Sequence, residues 1–90
     1  MRAERTDANQ QDIIDDLRKV GADVYVIKRP VDILVGYRNR CWIFEIKDPE
    51  QTKQNRQLTK FQQVFFDTWR GQVDKIETSE QAIKIITEQK

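Results

Sequence analysis

The stretch DILVGYRNRCWIFEIK, residues 32–47, decides the fold. Two apolar runs flank the basic, polar segment GYRNR, so the stretch predicts a β-hairpin. Trp42, Ile43, Phe44 and Ile46 are apolar on both strand faces, which places the second strand inside a sheet. Glu45 and Lys47 nevertheless sit in that strand. Two residues apart, they project from one face, roughly 7 Å from each other along the chain. Asp32 lies on the face opposite Ile33, at the start of the first strand. In an antiparallel hairpin the start of one strand lies beside the end of the other, so Asp32 and Glu45 are predicted neighbours.

Outward from the hairpin, the order of elements follows from periodicity. Ile13, Ile14, Leu17 and Val20 recur at helical spacing and Gly21 follows, which predicts a helix over 7–20. DVYVIK predicts a strand over 23–28, closed off by Pro30, which cannot donate to a sheet ladder. After Lys47, DPEQTKQNRQ has no apolar residue and reads as a mobile polar loop. LTKFQQVFFDTW is a helix ended by Gly71, QVDKIE a short strand, and TSEQAIKIITEQ a last helix opened by hydroxyl caps. The sum is one α/β domain over 1–90, in the order helix, three strands, helix, strand, helix.

Composition narrows what such a domain does. Ninety residues bury roughly 60–65% of the unfolded surface, leaving apolar area for a partner to cover. A single cysteine, Cys41, excludes an internal disulfide and reads as a small core residue. No run approaches the roughly 18–20 apolar residues of a membrane span, and no signal-peptide core is visible, so a cytoplasmic setting is expected. The net charge of +1 hides a segregation. Residues 28–60 hold eight basic and four acidic side chains, the flanks eight and eleven. A central +4 beside −3 suits one phosphate-facing side, although a solvated surface gives the same pattern.

Two carboxylates crowded in a partly apolar site repel, and the repulsion is relieved by a proton or a bound cation. Mg²⁺ takes one or two carboxylates, water and substrate phosphate oxygens. A neighbouring lysine orients an attacking water and stabilises charge building on phosphorus. Asp32, Glu45 and Lys47 are thus minimal equipment for metal-assisted phosphodiester hydrolysis.

Asp32, a twelve-residue spacer, then Glu45-Ile46-Lys47 resembles the signature of the PD-(D/E)XK nuclease superfamily. RTDANQQDII, DILVGYRNRCWIFEIKD and LTKFQQVFFDTWRG are similar to its small stand-alone VRR-Nuc branch, many members of which occur in phages. The resemblance covers nearly the whole chain. It implies a restriction-endonuclease-like core of order α-β-β-β-α-β-α, with a mixed sheet flanked by helices. It implies Mg²⁺ or Mn²⁺ held by Asp32, Glu45 and the Ile46 carbonyl, with Asp7 or Gln10 completing the shell. Lys47 matches the catalytic lysine and Gln62 a glutamine close to the active site. DNA is the implied substrate, branched and in particular four-way, cut by a homodimer. The proline stands at 30 rather than directly before Asp32, which bears on local geometry more than on chemistry.

Plainer readings stand beside these. Glu45 and Lys47 could be a surface ion pair worth less than roughly 1 kcal/mol. Asp32 could merely start a strand. Thr59-x-x-Gln62 and Asp7-x-x-Gln10 both have capping-box spacing. Arg38, Arg40, Lys53, Arg56 and Lys60 are candidates for DNA phosphates, or for solvent. On the helix after the loop, Leu58, Phe61, Val64, Phe65, Phe66 and Trp69 spread over roughly 200°, about twice the stripe one core face needs. A second copy would cover the excess. Two rival classes are a silent nucleic-acid-binding module and a protein-interaction domain using that same arc.

Overall fold

The computed structural model describes residues 8–52 and 57–88. In chain order it contains α1 (Gln10–Lys19), β1 (Asp23–Val26), β2 (Ile33–Tyr37), β3 (Arg40–Ile46), α2 (Lys60–Thr68), β4 (Asp74–Ile76) and α3 (Ser79–Thr87). The strands form one sheet in the order β1-β2-β3-β4. The first three are antiparallel, and β4 runs parallel to β3. A parallel pair needs a crossover, and the loop with α2 supplies it.

Helix α1 starts three residues later than the periodicity predicts, at an Asn9 N-cap, and Asp7 lies outside the described residues. Its end is set by Gly21, whose φ of 100° belongs to the left-handed region. The Gly21 amide donates to the Arg18 carbonyl and the Ala22 amide to that of Leu17, the paired bonds of a Schellman cap. Val20 falls outside the buried stripe and is exposed.

Strand β1 stops at Val26, two residues short of expectation, because Lys28 turns into positive φ (69°). The hairpin pairs Ile33 with Phe44 and Tyr37 with Arg40. Its two-residue turn, Arg38 and Asn39, has positive φ at both positions, 52° and 65°. That geometry matches the twist of the flanking strands.

Alternation then sorts the sheet. Val24, Ile33, Val35, Trp42, Phe44, Ile46 and Ile76 meet Ile13, Ile14, Leu17, Ala82 and Ile86 in one buried cluster under α1 and α3. Each fully buried aliphatic or Phe side chain contributes about 1.5–3 kcal/mol. The Ser79 hydroxyl donates to Asp16 Oδ2 at 2.5 Å and ties the two helices together.

Helix α2 takes the opposite face and has no buried residue, with Phe61, Val64 and Trp69 exposed. Its C-terminal end is tied down locally. Trp69 stacks on Phe65 at 5.1 Å between ring centroids and donates its indole N–H to the Gln72 carbonyl at 3.0 Å. The Gln72 side chain then acts as a strand residue. Its Oε1 accepts from the Ile43 amide at 2.7 Å, and its Nε2 donates to the Ile43 carbonyl at 3.0 Å and to Asp74 Oδ2 at 2.9 Å. The three-residue β4 thereby gains an extra rung.

Gly71 stands against this link, since a Cβ there would lie 2.8 Å from Trp69 Nε1 and 2.9 Å from Cε2. Gly71→Ala is expected to displace the indole and cost about 1–3 kcal/mol. Thermal melting followed by tryptophan fluorescence checks this. An unchanged midpoint would mean that the indole link contributes nothing.

Candidate active site

Asp32 is held by backbone on both sides. Its amide donates to the Phe44 carbonyl at 3.1 Å, while its carbonyl accepts from the Ile27 and Lys28 amides at 2.9 and 3.3 Å. One rung further along β3, the Ile46 amide finds the Asp32 carboxylate, with Oδ2 at 2.7 Å. The side chain therefore replaces a strand residue at the hairpin's open end. Ile46, an expected carbonyl ligand, meets Asp32 through its N–H.

Glu45 is 3% exposed and Lys47 8%, so the exposed ion-pair reading is set aside. Charge is costly to bury in a central strand unless it is paired, and here it is. Lys47 Nζ lies 3.3 Å from Glu45 Oε2. Gln62 Nε2 donates to the same oxygen at 2.7 Å, and Gln62 Oε1 accepts from Lys47 Nζ at 3.2 Å. The other carboxylate oxygen, Glu45 Oε1, is buried without a hydrogen-bond partner. Burial first, and then the negative charge of Asp32, push the Glu45 carboxyl from 4.5 up to about 7. The Lys47 charge and the hydrogen bonds from Lys47 and Gln62 pull the other way.

For Gln62, cap and site turn out to be one arrangement. The Thr59 hydroxyl accepts from the Gln62 amide at 3.2 Å, and Gln62 Oε1 accepts from the Thr59 amide at 3.0 Å while also facing Lys47. The capping box is complete, and its amide reaches the carboxylate at the same time.

At the N-terminus of α1, Gln10 is the first helical residue and Asp7 lies outside the described residues. The side chain that reaches the site's strand is Asn9. Its Nδ2 donates to the carbonyls of Lys47 at 3.0 Å and Glu77 at 2.7 Å. It makes no side-chain cap, and its Oδ1 is buried without a partner. Asn9 thus pins α1 to the ends of β3 and β4. The only hint in the sequence is an asparagine just before an amphipathic run, which reads as an ordinary cap. Asp48, expected in a mobile loop, is buried and accepts from the Glu50 amide at 2.8 Å.

The basic candidates are dispersed. Arg38 and Arg40 lie at the turn, over the Tyr37 and Trp42 rings at 5.0 and 6.0 Å from their centroids. By alternation both rings belong to the α1/α3 side of the sheet, away from Glu45. Lys60 is exposed at the start of α2, and Lys53 and Arg56 lie outside the described residues. Cys41 corrects its reading as a core residue. It shares the α2 face of β3 near the turn and is exposed.

Among the described residues no group of three or more histidine, cysteine, aspartate or glutamate side chains could hold a metal. Asp32 and Glu45 offer two hard oxygen donors, and the orphaned Oε1 is the atom of the pair that lacks a counterpart. Two carboxylates completed by water and phosphate fit Mg²⁺, which seldom uses an all-protein cage. No helix among the described residues is long and apolar enough to cross a membrane. Comparison with protein-family models, with curated proteins and with solved structures finds no match to the chain.

Proposed function

We propose that this chain is an Mg²⁺- or Mn²⁺-dependent endodeoxyribonuclease. In this reading the sheet and helices are a restriction-endonuclease-like core of the VRR-Nuc kind, acting as a homodimer on branched DNA with four-way junctions as the leading substrate. One observation carries the reading: a buried Glu45–Lys47 pair beside Asp32, with a desolvated carboxylate oxygen left unsatisfied.

Asp32 and Glu45 would hold Mg²⁺, which when bound would supply Lewis acidity at the phosphate and lower the pKa of a nearby water. Lys47, fixed against Glu45 and Gln62, would orient an attacking water and offset the negative charge that gathers on the phosphate oxygens. Lys60 opens α2 two residues before Gln62, whereas Arg40 stands five residues along the hairpin from Glu45, roughly 17 Å, or about five base pairs of duplex rise, and Arg38 lies beyond it in the turn. They meet backbone well away from the scissile bond, and shape is recognised rather than sequence.

The exposed face of α2 favours a second copy as partner. Two such helices packed antiparallel around Val64 set Phe61 against apolar residues of the other copy and Lys60 of each against Asp67 of the other. A two-fold interface requires such self-complementarity. The same face would serve a protein-interaction domain, which predicts no metal-dependent cleavage.

Labelled four-way junction, flap, single-stranded and duplex DNA, incubated with Mg²⁺ or Mn²⁺, test the reading. Paired symmetric nicks in the junction are expected from wild type, falling at least about 100-fold in Lys47→Ala. No cleavage of any substrate by wild type, or equal cleavage by Lys47→Ala, would sink it. Sedimentation equilibrium on the same sample checks for the dimer.

A further inference from the structure

We infer that Gln62 is a positioning residue through which the Glu45–Lys47 pair holds α2 on the sheet, so that what occupies the pair decides how firmly the helix is docked. Three facts combine. Helix α2 buries no residue, in contrast to α1 and α3, which bury three and two. Its best-covered apolar residues, Phe65 and Phe66, are only half-buried, so apolar packing holds it less firmly than the other two helices. Next, the Gln62 amide is used on both sides at once: Oε1 takes the Thr59 amide and Lys47 Nζ, and Nε2 gives its hydrogen to Glu45 Oε2 at 2.7 Å. Its partners set the amide orientation, oxygen toward the Thr59 N–H and the Lys47 ammonium and nitrogen toward the Glu45 carboxyl. Finally, Thr59 and Gln62 form the N-terminal cap, so the group that touches the pair is the group that starts the helix.

Hydrogen bonds to charged partners are stronger than neutral ones, and buried ones more so. The bond from Gln62 to Glu45 is largely desolvated, in contrast to the exposed bonds elsewhere on α2, such as that from Gln63 Nε2 to Asp67. Any ligand that draws charge from Glu45 Oε2 weakens this bond, and by reciprocity a displaced α2 alters the affinity of the pair for that ligand. The inference rests on the nuclease reading only for the ligand's identity. The mechanical link concerns the free protein.

Amide hydrogen exchange by NMR, without metal or DNA, tests the link. Protection of residues 60–68 is compared in wild type, Gln62→Ala, Glu45→Ala, Lys47→Met, Thr59→Ala and the Gln62→Ala/Glu45→Ala double variant. Glu45→Ala is expected to lower protection of α2 about tenfold or more, and Gln62→Ala, which also removes the acceptor for the Thr59 amide, by at least as much. Ile33, Phe44 and Ile76 in the sheet should stay protected, and the double variant should be no worse than Gln62→Ala. Thr59→Ala breaks the cap alone, and its smaller loss should add to that of Glu45→Ala. Should Glu45→Ala fail to fold, Lys47→Met, which removes the other contact to Gln62, tests the link by the same criterion. Undiminished α2 protection in the site variants, or additive losses in the double variant, would overturn the link. Failure of the metal reading would show separately, as Glu45–Lys47 amides that ignore added Mg²⁺ while the α2 result stands.

Discussion

Asp32→Asn is expected to reduce metal-dependent cleavage by at least about 100-fold while leaving the fold nearly as stable as wild type. The asparagine side-chain oxygen still accepts from the Ile46 amide, so the rung at the open end of the hairpin survives. What disappears is a negative charge beside Glu45, and with it half of the carboxylate pair. Asp32→Ala removes the acceptor as well. A buried amide left without a partner costs about 1–3 kcal/mol, so alanine should lower stability and activity together. Chemical denaturation and cleavage rates for both variants separate the two roles. Equal destabilisation by asparagine and alanine would mean that the carboxylate charge, not the acceptor, holds the strand end.

Glu45→Gln is expected to flatten the pH dependence of stability. The folded protein holds the Glu45 proton up to about pH 7, whereas the unfolded chain releases it near 4.5. Between those values the native state binds more protons, so this group's contribution is largest below 4.5 and is lost as pH rises through 7. The shift corresponds to about 3 kcal/mol, which wild type should lose relative to Glu45→Gln between pH 4.5 and 8. Urea midpoints across that range measure it, and parallel profiles for the two proteins would refute it. Metal binding has the opposite sense. Since the cation competes with that proton, affinity for Mg²⁺ should rise as pH passes 7.

Both expectations rest on a geometry that was partly legible in the chain. Helical spacing of Ile13, Ile14 and Leu17 and the alternating Trp42, Phe44 and Ile46 fixed the α/β layers, because periodic burial leaves a periodic trace. The proximity of Asp32 and Glu45 followed from hairpin register alone. Other features left no such trace. Asn9 reaches carbonyls 38 and 68 residues away, and a single amide bonding to distant backbone has no sequence period. Gln72 imitates a strand residue with its side chain, which reads as an ordinary loop glutamine. The apolar arc of α2 was visible, but where its residues would be covered was not, since hydrophobicity specifies a need for contact without naming the partner. Gln62 looked like a choice between cap and site because spacing distinguishes positions, whereas an amide has two ends and can serve both.

The rung made by Asp32 also bears on how such a protein would decay. If a lineage ceased to need the chemistry, Lys47 and Gln62 would be released to drift, while position 32 would still be filtered by folding, with asparagine tolerated as readily as aspartate. In any set of descendants an aspartate at 32 would therefore be a poor marker of a living enzyme. A lysine at 47 facing a glutamate at 45 would be the better one.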